Sequence, residues 1–445
     1  MFSNDNLHNI SSIDGRYKDK TQKLSKYFSE FALIKKRIFV EIEYLKVLSA
    51  KKIVPKCSTS QVIHMARIYK DFDLIEAKKV KKIEKEINHD VKAVELYLRQ
   101  IFKKKKLQKF SSFIHIGLTS SDTNNIAQSI LVKEFKNEVL EPTLKQLTNI
   151  LRKNSIKYKN SLLLARTHGQ PAVPTTFGKE MINYLYRLEK QVSKIKSFTF
   201  EAKINGAVGN YNALNFIYPK TNWVKFSFQF LRKLGLKENL HTAQILPYDN
   251  LIEFFQIVLI INGILIDLSS DIWLYNMLGL VTLEKSKKQV GSSTMPQKIN
   301  PIEFENAEGN LSFANSNIAF YQQKLLISRL QRDLTDSTIV RTFGSTLSHC
   351  IIGWENIIKG LDYLRFNEKK SLEELDNHWE VLSEGLQTYF RSKGDDLSFE
   401  KVKKVFYGKK MTKQEYLKTV TDKFLSSLEP KKYVGLAQKL VEKYK

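Results

Sequence analysis

The chain has 445 residues, 42% of them hydrophobic, enough for a substantial core spread over two or three domains. Its formal net charge is +26, but zinc-finger, RRM and basic-zipper patterns are missing and the lysines lie beside glutamates on helical stretches such as Lys78 to Glu86; the excess reads as solvated helix faces, not a nucleic-acid footprint. Two cysteines, Cys57 and Cys350, are too few for a disulfide framework or a zinc site, and the polar start from Met1 to Ile10 lacks a signal-peptide core, so a cytoplasmic protein is expected.

Glycine (18) and proline (9) are scarce and apolar residues recur at helical spacing, which predicts an all-α chain with few strands. From Leu24 to Ala50 and from Gln61 to Gln100 the period stays near 3.6, predicting an N-terminal helical domain over 1–108 that the Lys103 to Lys106 run closes. A central domain, 109–362, carries long helix candidates at Asn124 to Tyr158, Phe177 to Lys203, Asp249 to Leu280 and Pro301 to Leu326, lengths that predict a bundle. Leu251 to Leu280 is apolar on nearly all sides, but Glu253, Asn262, Asp267 and Asp271 interrupt it. It predicts a buried helix, covered by other helices or by other subunits, and not a membrane span. After Gly360 the helices shorten and become more charged, marking a third helical domain over 363–445.

Polar segments punctuate the long helices at Ser12 to Tyr17, Asn88 to Asp90, Leu118 to Asn125, Arg166 to Pro171 and Gly291 to Pro301, and such loops on a rigid scaffold are where binding and catalysis concentrate. In Gly291-Ser-Ser-Thr-Met-Pro-Gln-Lys-Ile-Asn-Pro301, backbone N–H groups of the Gly-Ser-Ser turn can cradle a carboxylate or a developing dianion, and Lys298 adds positive charge. The same residues also suit an ordinary helix start with Pro301 in its first turn. His168 sits between Thr167 and Gly169 in a segment with Pro171 and Pro174, off any apolar helical face, which makes it the best general acid or base of the chain. His89, between Asn88 and Asp90, has a similar polar setting and is either ligand-binding or structural. Walker-type, Gly-x-Gly-x-x-Gly, His-Glu-x-x-His and Gly-x-Ser-x-Gly patterns are absent, and the candidate chemistry needs no metal or cofactor.

Gly291 to Pro301 resembles the signature of the fumarase/aspartase superfamily: Gly-Ser, a Met three residues after the first Ser, then Lys and Asn. Ser12-Ile-Asp-Gly-Arg-Tyr17, Asn88-His-Asp-Val-Lys-Ala-Val-Glu95, Arg166-Thr-His-Gly-Gln-Pro171, Lys203-Ile-Asn-Gly-Ala-Val-Gly-Asn210 and Gln331-Arg-Asp-Leu-Thr-Asp-Ser-Thr338 resemble, within it, the adenylosuccinate lyase family of the common bacterial type. The resemblance implies a fumarase/aspartase-like fold of three helical domains and a homotetramer whose long middle helices form a shared bundle, with active sites drawn from three subunits. It implies β-elimination of fumarate from two nucleotide substrates, adenylosuccinate and SAICAR, with no nucleic acid or membrane as partner. Argininosuccinate lyase, a sister family, would need a guanidino site in place of a phosphate site, and Arg16-Tyr17 argues against it.

Carried over by position, the resemblance makes Ser292 the general base for the succinyl β-proton and His168 the general acid for the departing nitrogen. Lys298 and Asn300 would stabilise the aci-carboxylate between them, and Glu305 would orient and charge the histidine. Arg16 and Tyr17 would hold the phosphate, with His89, Asp90, Arg332, Ser337 and Arg341 lining the nucleotide site. Thr119, Ser120, Gln244 and Asn306 would hold the succinyl carboxylates and nearby polar atoms, and Asn88, Ser293 and Thr338 complete the substrate-binding set. Gln297 departs from the family pattern, which has histidine there, and Asn377-His378 appear in exchanged order.

Overall fold

The computed structural model describes residues 6–105, 107–284, 294–295 and 297–444. Numbering the helices of nine residues or more, these are α1 Glu30–Ala50, α2 Thr59–Lys70, α3 Leu74–Ile87, α4 Asp90–Lys104, α5 Ser120–Phe135, α6 Glu141–Lys157, α7 Phe177–Ser197 and α8 Trp223–Lys233. There follow α9 Asp249–Met277, α10 Ile302–Leu325, α11 Phe343–Tyr363, α12 Glu368–Asp376, α13 Ser383–Ser392 and α14 Ser398–Phe406. The described strands are short and paired in twos: β1 Leu162–Thr167 with β2 Gln170–Thr176, β3 Glu201–Ala202 with β4 Lys237–Glu238, and β5 Val281–Leu283 with β6 Leu364–Phe366. The chain is all-α in class, as expected.

Local chemistry sets where the helices start and stop. The single helical period from Gln61 to Gln100 resolves into three helices because each has its own cap. Ser58 and Gln61 close a capping box on α2, Asp73 accepts from the Glu76 N–H at 2.9 Å on α3, and His89 Nδ1 accepts from the Lys92 N–H at 3.1 Å on α4. Asn88 ends α3 in the left-handed region at φ 53°. Between α5 and α6 the π-helical turn Lys136–Leu140 keeps the helix continuous, and the buried Lys136 ammonium reaches the Ile195 carbonyl at 3.1 Å, the Lys196 carbonyl and Glu141. Helix α9 stops short of the expected Leu280, two residues before Gly279 at φ 72°.

The chain divides into two compact units, each assembled from three stretches of sequence. The first comprises Met1–Pro142, Ser193–Ile260 and Ser312–Ile352, and in it α1 packs against α2, α4 and α5. The second comprises Thr143–Val192, Ile261–Leu311 and Gly353–Lys445. There the β1–β2 hairpin packs on α12 through Leu164, Leu375 and Val381, while Trp379, Leu382, Leu386, Phe406 and Tyr416 form a core around α13 and α14.

Helix α9 is more apolar than the four polar interruptions suggested: it is long and apolar enough to cross a membrane by length and composition, and half of its most apolar 18-residue stretch is buried. Its buried Asn262 accepts from the Trp354 indole N–H at 2.9 Å, which is how a core helix satisfies an interior amide.

One half-buried carboxyl in the first unit makes stability depend on pH. Glu238, on β4, has a buried Oε1 with no hydrogen-bond partner among the described residues, and burial pushes its pKa up to about 7. The folded state therefore binds this proton more tightly than the unfolded chain, and the group's contribution to stability falls as pH rises from about 4.5 to 7. Since the side chain is only partly buried, the expected effect of Glu238→Gln is a gain of roughly 1–2 kcal/mol at pH 8 and almost none at pH 5, read from urea unfolding at the two pH values.

Candidate active site

In the first unit, chain turns and helix starts converge on a cleft of about 710 Å³, within the size range of small-molecule sites. Asn88, His89 and Asp90 enter it from the tight α3–α4 corner, where left-handed Asn88 turns the chain and His89 caps α4. Because His89 Nδ1 accepts the Lys92 N–H, the neutral ring carries its proton on Nε2, leaving that nitrogen as a donor. Asp90 accepts from the buried Arg37 guanidinium at 2.7 Å and faces Arg341 at 3.5 Å. Burial opposes the Asp90 charge, but Arg37, the Val91 N–H and Arg341 outweigh it and hold the carboxyl below its usual range. Arg37 also donates through Nε to Asn124 Oδ1 at 2.8 Å.

Thr119 and Ser120 reach the same cleft at the start of α5, and a buried ion pair fixes them there. Asp122 Oδ2 accepts from the N–H groups of Thr119 at 2.9 Å and Gly206 at 3.1 Å, while Oδ1 accepts from the Asn205 N–H at 3.2 Å and the Lys203 ammonium at 3.0 Å. Both side chains are fully buried; burial pushes Asp122 up and Lys203 down, against their mutual attraction. The Lys203 to Gly206 loop, one of the segments singled out in the sequence, is thereby fastened to the helix start that presents Thr119 and Ser120.

The remaining wall is cationic. Gln244 donates to the Ala207 carbonyl at 3.0 Å and accepts from Arg332 at 3.4 Å, and Arg341 donates to the Ser337 carbonyl at 2.7 Å. Gln244, Arg332, Ser337 and Arg341 all line the cleft, whereas Arg16, Tyr17 and Thr338 are not among its lining residues. Arg16 is exposed in an N-terminal turn that Thr21 holds by donating its hydroxyl, which lies 2.8 Å from the Ile13 carbonyl and 3.0 Å from that of Tyr17. Arg37 and Asn124, which sequence reasoning did not select, are part of the wall. The available signal was the charge itself: Arg37 and Glu41 lie four residues apart in an otherwise apolar helical face, where unpaired charges are costly.

The second unit contributes a different kind of feature. His168 is not in an irregular loop: with Gly169 it forms the two-residue turn of the β1–β2 hairpin, both in the left-handed region at φ 53° and φ 75°. A histidine held there carries a backbone cost of order 1 kcal/mol. It is exposed, and among the described residues it makes no hydrogen bond or ion pair within the chain. The hairpin is tied to α12 by Arg166 to Glu374, by Ser161 to Glu368, and by Ser371 donating to the Leu162 carbonyl at 2.5 Å.

Glu305 lies in the first turn of α10, where the helix N-terminus favours negative charge, and accepts from the Trp273 indole at 3.1 Å. Asn306 Oδ1 accepts from Asn356 and from Asn310, the latter at 3.2 Å. Lys298 is exposed and Asn300 half-buried just ahead of α10. Ser292 and Ser293 lie outside the described residues.

Residues 15–313 match the family model described as lyase, and residues 328–437 match that described as adenylosuccinate lyase C-terminal. The chain is 41% identical to adenylosuccinate lyase of Buchnera aphidicola subsp. Schizaphis graminum, 42% to that of Haemophilus influenzae and 39% to that of Escherichia coli K12, each alignment covering 98% of both chains. Its fold is similar to those of a fumarate lyase from Mesorhizobium sp. BNC1 (TM-score 0.77, 15% identity, covering 95% of this chain and 96% of that one) and 3-carboxy-cis,cis-muconate lactonizing enzyme from Pseudomonas putida (0.75, 17%, 95% of each). With two family models covering most of its length and full-length relatives near 40% identity, the chain belongs to the adenylosuccinate lyase family of the fumarase/aspartase superfamily.

Proposed function

We propose that the chain eliminates fumarate from adenylosuccinate, giving AMP, and from SAICAR, giving AICAR, by general acid–base catalysis. The observation that carries this is the cleft of the first unit, where Arg332 and Arg341 stand in a donor-rich wall with His89, Thr119, Ser120 and Gln244, while Glu30, Glu84 and the Arg37–Asp90 pair line other parts of it. A nucleotide bearing two carboxylates and a phosphate, about −3.5 to −4 in charge, suits such a wall.

Ser292 takes the proton from the succinyl β-carbon, leaving a carbanion delocalised into the neighbouring carboxylate. Lys298 and Asn300 stabilise that aci-carboxylate more than the ground state. The C–N bond then breaks as His168 protonates the leaving nitrogen, and Glu305 orients the ring and favours its imidazolium form. Arg16 and Tyr17 bind the phosphate. The protein works in the cytoplasm as a homotetramer, a reading supported by α9 and α10. Both leave residues without polar side chains exposed at helical spacings: Ile260, Gly263, Leu274 and Met277 on one, at steps of 3, 11 and 3, and Ile302, Gly309, Phe313 and Phe320 on the other, at steps of 7, 4 and 7.

The test is the ultraviolet absorbance change of purified protein mixed with adenylosuccinate. Wild type is expected to convert it to AMP and fumarate, and folded Ser292→Ala to be strongly impaired. A well-folded wild-type protein that leaves adenylosuccinate intact would sink the assignment.

A further inference from the structure

Three of the chain's four tryptophans are interior: Trp354 is 0% exposed, Trp223 and Trp379 each 4%. Trp273, near the end of α9, is 39% exposed, yet its indole N–H is directed onto Glu305 Oε1 at 3.1 Å. Glu305 is itself exposed, and a free glutamate there would sample several rotamers. An indole has two side-chain torsions and one donor, so a bulky ring anchored on α9 restricts the carboxylate at little entropic cost.

We infer that Trp273 is a positioning residue: its N–H fixes the Glu305 carboxylate in the orientation from which it charges and aligns His168. This deepens the proposed function and rests on the role given there to Glu305. Only one of the two carboxylate oxygens receives the indole, which leaves Oε2 to accept from an imidazole N–H. The donor also spreads the carboxylate's charge without neutralising it, as an arginine would. As a positioning residue Trp273 acts through Glu305 alone, so turnover should respond and substrate affinity should not.

The experiment compares kcat and KM for adenylosuccinate among Trp273→Phe, Glu305→Gln and the double variant, alongside thermal unfolding. A further variant carries 3-benzothienylalanine at 273, which exchanges the N–H for sulfur at nearly constant shape. Trp273→Phe and the benzothienyl variant are expected to lose roughly 5–20-fold in kcat, the scale of a hydrogen bond to a charged group, with KM within about twofold of wild type. The double variant is expected to be no slower than Glu305→Gln alone, since both changes act through one carboxylate. Wild-type kcat in the benzothienyl variant beside an impaired Glu305→Gln would overturn the inference, and it does so even where the Phe variant folds poorly. Additive losses in the double variant would overturn it equally. An unimpaired Glu305→Gln would instead remove the proposed role of Glu305, an outcome separate from the other two.

Discussion

His168→Asn is expected to lower kcat by about 10²–10⁴-fold, the span that general acid catalysis contributes, while leaving the unfolding temperature where it was. Asparagine is chosen because the turn holds residue 168 at φ 53°, a region that asparagine tolerates better than other side chains, so the hairpin is preserved while the titrating ring is lost. No stability change is expected because His168 is exposed and, among the described residues, makes no hydrogen bond or ion pair within the chain. Stopped-flow turnover with adenylosuccinate and a thermal melt check both halves. A variant that retains a tenth or more of wild-type kcat would remove His168 as the acid. A variant that melts well below wild type would show that the ring has a structural role at the hairpin tip.

The helices were legible in the sequence because their periodicity is local: Asp249–Met277 and Ile302–Leu325 lie within three residues of the expected bounds. The hairpin around His168 was not. Its strands contain Pro171 and Pro174 and a register shift between Leu164 and Arg166, so the alternation that announces a strand is broken, and its packing partners Leu375 and Val381 lie more than 200 positions away. The binding motifs at Asn88 to Asp90, Thr119 to Ser120 and Arg332 to Arg341 could be found as polar segments. Their convergence on one cleft depends on Arg37 and Asn124, placed by tertiary packing of α1 and α5. Lys203 likewise reads in sequence as part of a glycine-rich loop. That its ammonium is buried against Asp122, 81 positions earlier, follows only from the fold.

That pair carries the largest stability effect expected in the molecule. Lys203→Met keeps the aliphatic stem but leaves Asp122 as a buried carboxylate facing only the backbone N–H groups of Thr119, Asn205 and Gly206. A loss of about 3–5 kcal/mol is expected, the cost of breaking a buried ion pair by removing one partner. Burial already pushes the Asp122 carboxyl above its usual range, and without Lys203 its ion-pair partner no longer opposes that push, so the folded variant takes up a proton that the unfolded chain at the same pH has released. Folded protonation above the unfolded pKa means that the variant loses stability as pH rises, so its deficit against wild type should be larger at pH 8 than at pH 5. Adding Asp122→Asn should recover part of the loss, because the amide carries no charge to strand and its one oxygen can still accept from the backbone N–H groups on one side. Urea unfolding of the three variants at both pH values measures this. A Lys203→Met deficit that does not change with pH, or a double variant weaker than the single one, would mean that Asp122 stays paired through its backbone donors alone and that Lys203 serves only as packing. Because Asp122, held by Lys203, fastens the Thr119–Ser120 end of the cleft, KM for adenylosuccinate should rise with the stability loss even at temperatures where the variant remains folded.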